Sequence, residues 1–313
     1  MIRGALTTLV LVCAIGPAAR AQVKLEYKAV EGATHRHKAE SKVDQVLTIA
    51  GMDVKTQSSD EAVVMSASGK RKDDGTLPID VAIESVKLTL GINGQEFAVD
   101  SADKDPKVDF PGLDFLGPLV KAFQGVKYTL VLDAKGNLKH IEGVEKNLEK
   151  ANDLPEAAAS ALKGRLNVDR IKREFEQRHG TVPDGLVREG EPWERTETME
   201  IGGDQTLTFK KKYEYKGTVT KDGKTLDKID VKATEVTYKQ DPDTKSPAKV
   251  TKSNLKVESG EGTLLFDRAA GETVERREKF RITGDMTMTI MGNELPAKLD
   301  LTMETNGSSE KVK

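Results

Sequence analysis

Two histidines, His35 and His37, are the first residues in this 313-residue chain whose type and spacing could do chemistry. In a strand, residues two apart point to the same face, so both imidazoles could reach one metal ion or one anionic group. A zinc site needs a further ligand, and the other two histidines, His140 and His179, lie in distant segments. The neighbours Arg36 and Lys38 instead fit a solvated strand edge, so no metal is expected. Asp133 and Asp267 sit at matching positions before turns, where two carboxylates could be taken for a catalytic pair. An aspartate so placed more often caps its own turn. Neither a G-x-S-x-G elbow nor a phosphate-loop signature is present. No catalytic residue is assigned, the chain is read as non-enzymatic, and no cofactor is expected. Trp193, the only tryptophan, could stack on sugar or lipid, but a lone aromatic after Pro192 fits packing better.

The strongest candidate for binding is apolar. Phe115, Leu119 and Phe123 recur at helical spacing, with Pro118 close to the first turn. Such a face either plugs a sheet, which is the commoner use, or forms one wall of a hydrophobic pocket. The second use makes Phe115, Leu119 and Phe123 the candidate ligand-binding residues.

The elements that must position these residues are mostly strands. Val43, Leu47 and Ile49, then Met286, Met288 and Ile290, then Leu299, Leu301 and Met303 alternate with polar residues, as half-buried antiparallel strands do. Asp74-Gly75, Asn93-Gly94, Asp222-Gly223 and Gly292-Asn293 lie between alternating runs and fit hairpin turns. From Gly143 to His179 the composition turns to Glu, Lys, Ala and Leu. Pro155 starts a helix through Ala157 to Leu166, and Asn167 caps a second that carries Ile171 and Phe175 on one face.

Met1 to Ala21 carries Arg3, an apolar run from Ala5 to Ile15 and a small-residue site at Ala19-Arg20-Ala21. This is the pattern of a secretory leader cleaved before Gln22, which makes the protein exported, periplasmic or extracellular. Cys13, the only cysteine, leaves with it, and Val12 before it does not fit a lipidation site. The mature chain then has no disulfide or thiolate site. The net charge of -2, with mixed signs and 32% charged residues, offers no footprint for nucleic acid. No later segment is apolar enough for a transmembrane helix.

The chain also repeats itself. Glu31-Gly32 is echoed by Glu189-Gly190, Ile49 to Asp53 by Ile201 to Asp204, Asp74 to Val81 by Asp222 to Val231, and Thr129 to Asp133 by Thr263 to Asp267. Residues 22–142 and 186–313 read as two β-rich halves around a helical insert, 143–185, with 22–313 as one domain. Each half alone would leave a long open edge, so joining both in one curved sheet is favoured. The expected class is mainly β (α+β): duplicated antiparallel strands in a curved sheet or half-barrel covered by a few helices.

The order of a Glu-Gly turn near residue 31, a helical middle, Arg188-Glu189-Gly190-Glu191-Pro192-Trp193, a Lys-Asp-Gly-Lys hairpin at 221–224, and Phe266-Asp267 with Gly271 resembles domain-of-unknown-function family 6263. The resemblance implies export and a β-fold, and no activity. In architecture alone, a half-barrel with helices over its opening is similar to the periplasmic lipoprotein carriers, which hold an acyl chain between sheet and helices. A hydrophobic or lipid-like ligand in the cell envelope is therefore the leading expectation. An envelope protein as partner of a structural or interaction module comes second, and an envelope hydrolase third.

Overall fold

The computed structural model describes residues 22–202, 204–241, 246 and 248–312; the expected leader, Cys13 included, lies outside them. The alternating runs become long strands. In chain order these are β1 (Gln22–Lys24), β2 (Thr34–Ile49), β3 (Met52–Ser68), β4 (Leu77–Ile92) and β5 (Gln95–Asp100), then α1 (Leu116–Phe123), β6 (Lys127–Leu132) and β7 (Leu138–Glu142). The helical insert follows: α2 (Val144–Leu148), a 3-10 turn (Glu149–Asp153), α3 (Glu156–Arg165) and α4 (Val168–His179). The chain closes with β8 (Leu186–Arg188), β9 (Pro192–Gly202), β10 (Gln205–Lys221), β11 (Lys224–Gln240), β12 (Ala248–Asp267), β13 (Glu272–Ile290) and β14 (Asn293–Val312).

Among the described residues, twelve strands form one sheet in the order β7-β6-β4-β3-β2-β14-β13-β12-β11-β10-β9, with β5 added on β4. The two halves join where β2 pairs with β14, from Ile49 opposite Ala297 to Thr34 opposite Val312. This pairing removes the long open edge that each half alone would leave. It also corrects the expectation for His35 and His37. They lie on an interior strand, between β14 and β3, and not on a solvated edge.

The hairpin turns follow their residues. Asn93-Gly94 and Asp222-Gly223 have positive φ at both positions, as two-residue hairpin turns require. So do Ala50-Gly51 and Met291-Gly292, which places the last turn one residue before the Gly292-Asn293 expected from sequence.

The second half rolls up. Glu197 on β9 and Arg276 on β13 are 2.9 Å apart. In a flat sheet their four strand spacings would separate them by about 19 Å. Rolling brings Leu207 and Phe209 of β10 against Phe280, Ile282, Leu301 and Met303 of β13 and β14, and all six are buried. Glycine permits the approach: a Cβ at Gly260 would lie 2.9 Å from the Phe280 ring, and one at Gly262 would lie 2.6 Å from Glu278 Cγ. A short ribbon of β1 and β8 closes the other end of the roll, with Leu25 and Val187 packed near Tyr213, Ile229 and Phe266.

The helices cover the same inner face over the first half. Ala158 and Leu162 of α3 pack with Leu119 of α1, and with Tyr128, Leu130 and Ile141 of β6 and β7. Asn167 caps α4 as its sequence indicates, accepting the Arg170 N–H at 3.0 Å. Helix α4 in turn guards the outer strand β9. The Gln177 amide donates to Thr198 O at 3.1 Å and accepts the Thr198 N–H, as a neighbouring strand would. Arg170 and Arg173 both hold Glu200. No helix of the described residues is long and apolar enough to cross a membrane.

Candidate functional site

The inner face is banded. Toward the end of the sheet that holds the turns at 50–51 and 291–292, most of its positions are apolar: Val43, Leu47 and Ile49 on β2, with Gln45 between them, Leu299 and Leu301 on β14, and Met286 and Met288 on β13. A polar belt then crosses the strands. Asp60, Ser41, Thr305 and Glu278 lie opposite one another on β3, β2, β14 and β13. Beyond the belt the face carries His35, His37, Ser66 and Ser309. Alternation alone puts these side chains on one surface, because cross-strand pairs share a face.

At the rolled end the belt is a closed ionic network. Lys211 is 1% exposed, with its Nζ 2.7 Å from Glu197 and 3.1 Å from Glu278. Arg276 holds the same two carboxylates at 2.9 and 2.8 Å. The Tyr213 hydroxyl donates to Glu197, and Lys211 stands 4.8 Å from the centre of the Phe280 ring. Burial alone would raise the Glu197 carboxyl, but Arg276 and Lys211 overcome it and hold the group at about 2. Two cations facing two anions leave the cluster neutral, which makes its burial tolerable.

Toward the helices the inner face is open. Leu90 and Ile92 are half-buried outside the packed clusters, Val43, Leu47 and Ile49 are half-buried against the margin of the rolled core, Leu88 packs beside Val86 and Val99, and Thr56 and Ser58 lie between β2 and β4 on β3. The Asp60 carboxyl is raised, chiefly by desolvation, with Arg165 at the end of α3 opposing the shift. His37 donates to or accepts from Ser66 Oγ at 2.8 Å, and burial pushes its imidazole down to about 4, with Arg178 and His35 adding to the effect. His179 stacks on Phe175 at 3.8 Å and is likewise lowered by burial to about 4. The Tyr238 hydroxyl, on the inner face of β11, is buried without a hydrogen-bond partner. The result is an amphipathic trough, apolar at one end and polar past the belt.

The residues singled out from sequence are dispersed. Leu119 and Phe123 on α1, and Phe115 at its N-cap, lie within the packed cluster that includes Ala158 and Leu162 of α3. Their contacts are those of a plug over β6 and β7. His35 and His37 stack at 6.1 Å, and His35 Nδ1 is 3.1 Å from Glu272. Among the described residues no group of three or more His, Cys, Asp or Glu is placed to hold a metal ion. Asp133 accepts the N–H groups of Lys135 and Asn137, and Asp267 those of Ala269 and Ala270, so each caps its own turn. Trp193 stacks on Tyr213 and donates to Thr181 O at 2.8 Å, which is packing.

The ionic network was not read from the sequence, although a signal existed. Lys211 shares the parity of Leu207, Phe209 and Tyr213, and Glu278 that of Phe280 and Ile282, so each sits where alternation demands an apolar side chain. Two grooves, of about 610 and 790 Å³, lie instead on the outer face. The first is lined by Asp44, Lys55, Gln57, Arg281 and Asp300, and the second by Lys212, Lys232, Glu261, Arg277 and Glu304.

Comparison with known proteins gives loose likenesses in structure and one match in sequence. Lipovitellin, in a structure concerned with its lipid–protein interactions, is 10% identical and covers 91% of this chain with a TM-score of 0.42. The chain spans only 25% of that lipovitellin chain. DynF, from the dynemicin biosynthesis pathway of Micromonospora chersina, is 9% identical over 97% of this chain and 92% of its own, with a TM-score of 0.20. OpdQ of Pseudomonas aeruginosa is 8% identical over 91% of this chain and 100% of its own, with a TM-score of 0.22. Overlaps this low carry no conclusion about function. No curated protein matches the sequence. The sequence profile of a family of unknown function, DUF6263, matches residues 74–294, from the turn before β4 to the start of β14. The chain belongs to that family.

Proposed function

We propose that the protein is a non-enzymatic, exported binder of a lipid-like amphiphile, held along the inner face with its apolar part on β2 and β4 and its polar part at the belt. One observation carries this reading: on the inner face Leu90 and Ile92 of β4 stay half-buried outside the packed clusters, in line across β3 with Val43, Leu47 and Ile49 of β2, which are half-buried at the margin of the rolled core. Soluble proteins rarely leave such a strip uncovered without a use for it. The row Thr56, Ser58 and Asp60 on β3 supplies polar contacts beside it. The leader expected over residues 1–21 agrees with a role in the envelope.

The test is titration with the apolar fluorophore N-phenylnaphthylamine, followed by displacement with a lysophospholipid. Leu47→Glu, on the inner face, should weaken binding by at least about tenfold, since burying one Leu side chain stabilises by about 1.5–3 kcal/mol. Val46→Glu, on the neighbouring outward position, should leave it unchanged. Equal effects of the two substitutions, or a wild type that binds no probe, would refute the reading.

A second reading, a protein-interaction module, draws on the outer groove of about 790 Å³, whose lining mixes lysine, arginine and glutamate. Chemical crosslinking in cells that returns only monomer counts against it.

A further inference from the structure

Four of the exposed large apolar side chains among the described residues, the two most exposed included, lie toward one end of the sheet, while Val30, Val168, Leu186 and Val312 lie elsewhere. Met291 is 91% exposed and Met52 71%, and Val54 and Ile201 are also exposed. They come from three different hairpins at the same end of the sheet, the 291–292 turn reaching four residues beyond the row of Ile49 and Met52. Ile49 pairs with Met52 and with Ala297, and Ile290 with both Asn293 and Ala248, which sets the turns at 50–51 and 291–292 at one end of the sheet. Gln240 closes β11 opposite Gln205, which pairs with Gly202, so the end of β9 lies there too.

Turn chemistry makes Met291, and Ala50 in the turn before Met52, unusual. Met291 (φ 52°) and Ala50 (φ 49°) fill the first left-handed position of their hairpin turns. That position favours Asn, Asp or Gly, and the chain follows the rule with Asn93 and Asp222 in two other turns. At the β13–β14 tip it accepts a strained backbone in order to place a thioether in water. The apolar tips continue the apolar end of the inner face, because Met52 and Val54 share the parity of Ile49 and Leu47.

Behind the tips lie lysines. Lys55 on β3, Lys239 on β11 and Lys252 on β12 are exposed, and among the described residues none has an acidic partner within 4.0 Å. Lys239 sits one residue, Lys55 three and Lys252 four from the end of its strand, about 3–13 Å behind it. Apolar groups at a membrane interface enter by about 5–10 Å. Tips inserted to that depth would bring these ammonium groups toward the lipid phosphates.

We infer that this end of the sheet is a bilayer-docking rim: Met52, Met291 and Ile201 enter the acyl boundary of a phospholipid membrane, and Lys55, Lys239 and Lys252 meet its phosphates. The inference rests on the proposed function for its purpose, the exchange of ligand between membrane and trough, while the docking itself is measured separately.

The experiment is co-flotation of the protein with phosphatidylcholine vesicles. The wild type should float with them, and Met291→Asn should lower the partition coefficient by about tenfold, the worth of one buried side chain. Asparagine suits the left-handed position, so the melting temperature of this variant should be unchanged or higher. Met52→Ser combined with Met291→Asn should abolish flotation. A wild type that stays with the soluble fraction overturns the inference, and so does a double variant that floats as well as the wild type. Flotation that needs phosphatidylglycerol and vanishes in high salt also overturns it, because adsorption by charge alone would then suffice. N-phenylnaphthylamine binding separates the two ideas. A wild type that floats but binds no probe keeps the rim and removes the ligand.

Discussion

At the residue scale, the buried ionic network and the two lowered imidazoles make testable statements. Lys211 neutralises two carboxylates in an interior it shares with Phe209 and Phe280. Lys211→Ala leaves Glu197 and Glu278 facing each other with Arg276 alone, and should cost about 3–5 kcal/mol in urea unfolding. A loss below about 1 kcal/mol would show that water reaches the cluster. His37 and His179 both titrate near 4 in the folded protein, against an ordinary value of 6.5. Folding therefore prefers their neutral forms. That stabilisation is complete above pH 6.5 and is lost as pH falls from 6.5 through 4. At pH 5 the loss should be on the order of 2 kcal/mol for each imidazole. Denaturation measured at pH 7.5 and pH 5 checks this, and His37→Gln with His179→Gln should flatten the difference. Glu197, held near 2, adds a further loss only below about pH 4.5.

At the element scale, much was legible in the sequence and the reasons are local. Asp222-Gly223, Asn93-Gly94, the Asn167 cap and the alternation of Met286, Met288 and Ile290 each report a few neighbouring residues, and each appears where it was expected. The roll of β9 to β14 was not legible, because the contact of Glu197 with Arg276 joins residues 79 apart through a curvature that no local pattern encodes. His35 and His37 were misplaced for the same reason: whether a strand is an edge depends on whether the distant β14 pairs with it. The binding candidates on α1 were legible as a helix, while the open strip on β2 and β4 depends on what the helices leave uncovered. The guard over β9 gives a test at this scale. Gln177→Ala removes both hydrogen bonds to the Thr198 backbone, and should lower stability by about 1–2 kcal/mol and promote association through the freed edge. Light scattering on heating reads the second effect. A variant that stays monomeric with unchanged stability would show that α4 guards nothing.

At the scale of the whole molecule, one division of labour explains the architecture. The second half rolls around apolar side chains of β10 to β14, with Val43, Leu47 and Ile49 of β2 at its margin and the β1–β8 ribbon at one end, while the first half is covered in part by α1 to α4. Pairing of β2 with β14 fuses the two, so the sheet presents a filled end, an open strip and a rim of exposed methionines on one continuous surface. The central claim is that the open strip holds an amphiphile. Native mass spectrometry of the protein, purified gently from its own source and followed by denaturing analysis of whatever is released, tests it most directly. A lipid-like species at defined stoichiometry, lost from Leu47→Glu and kept by Val46→Glu, is the expected result. A bare chain mass for the wild type, with no apolar molecule released, would contradict the claim and leave the charged outer groove as the working surface.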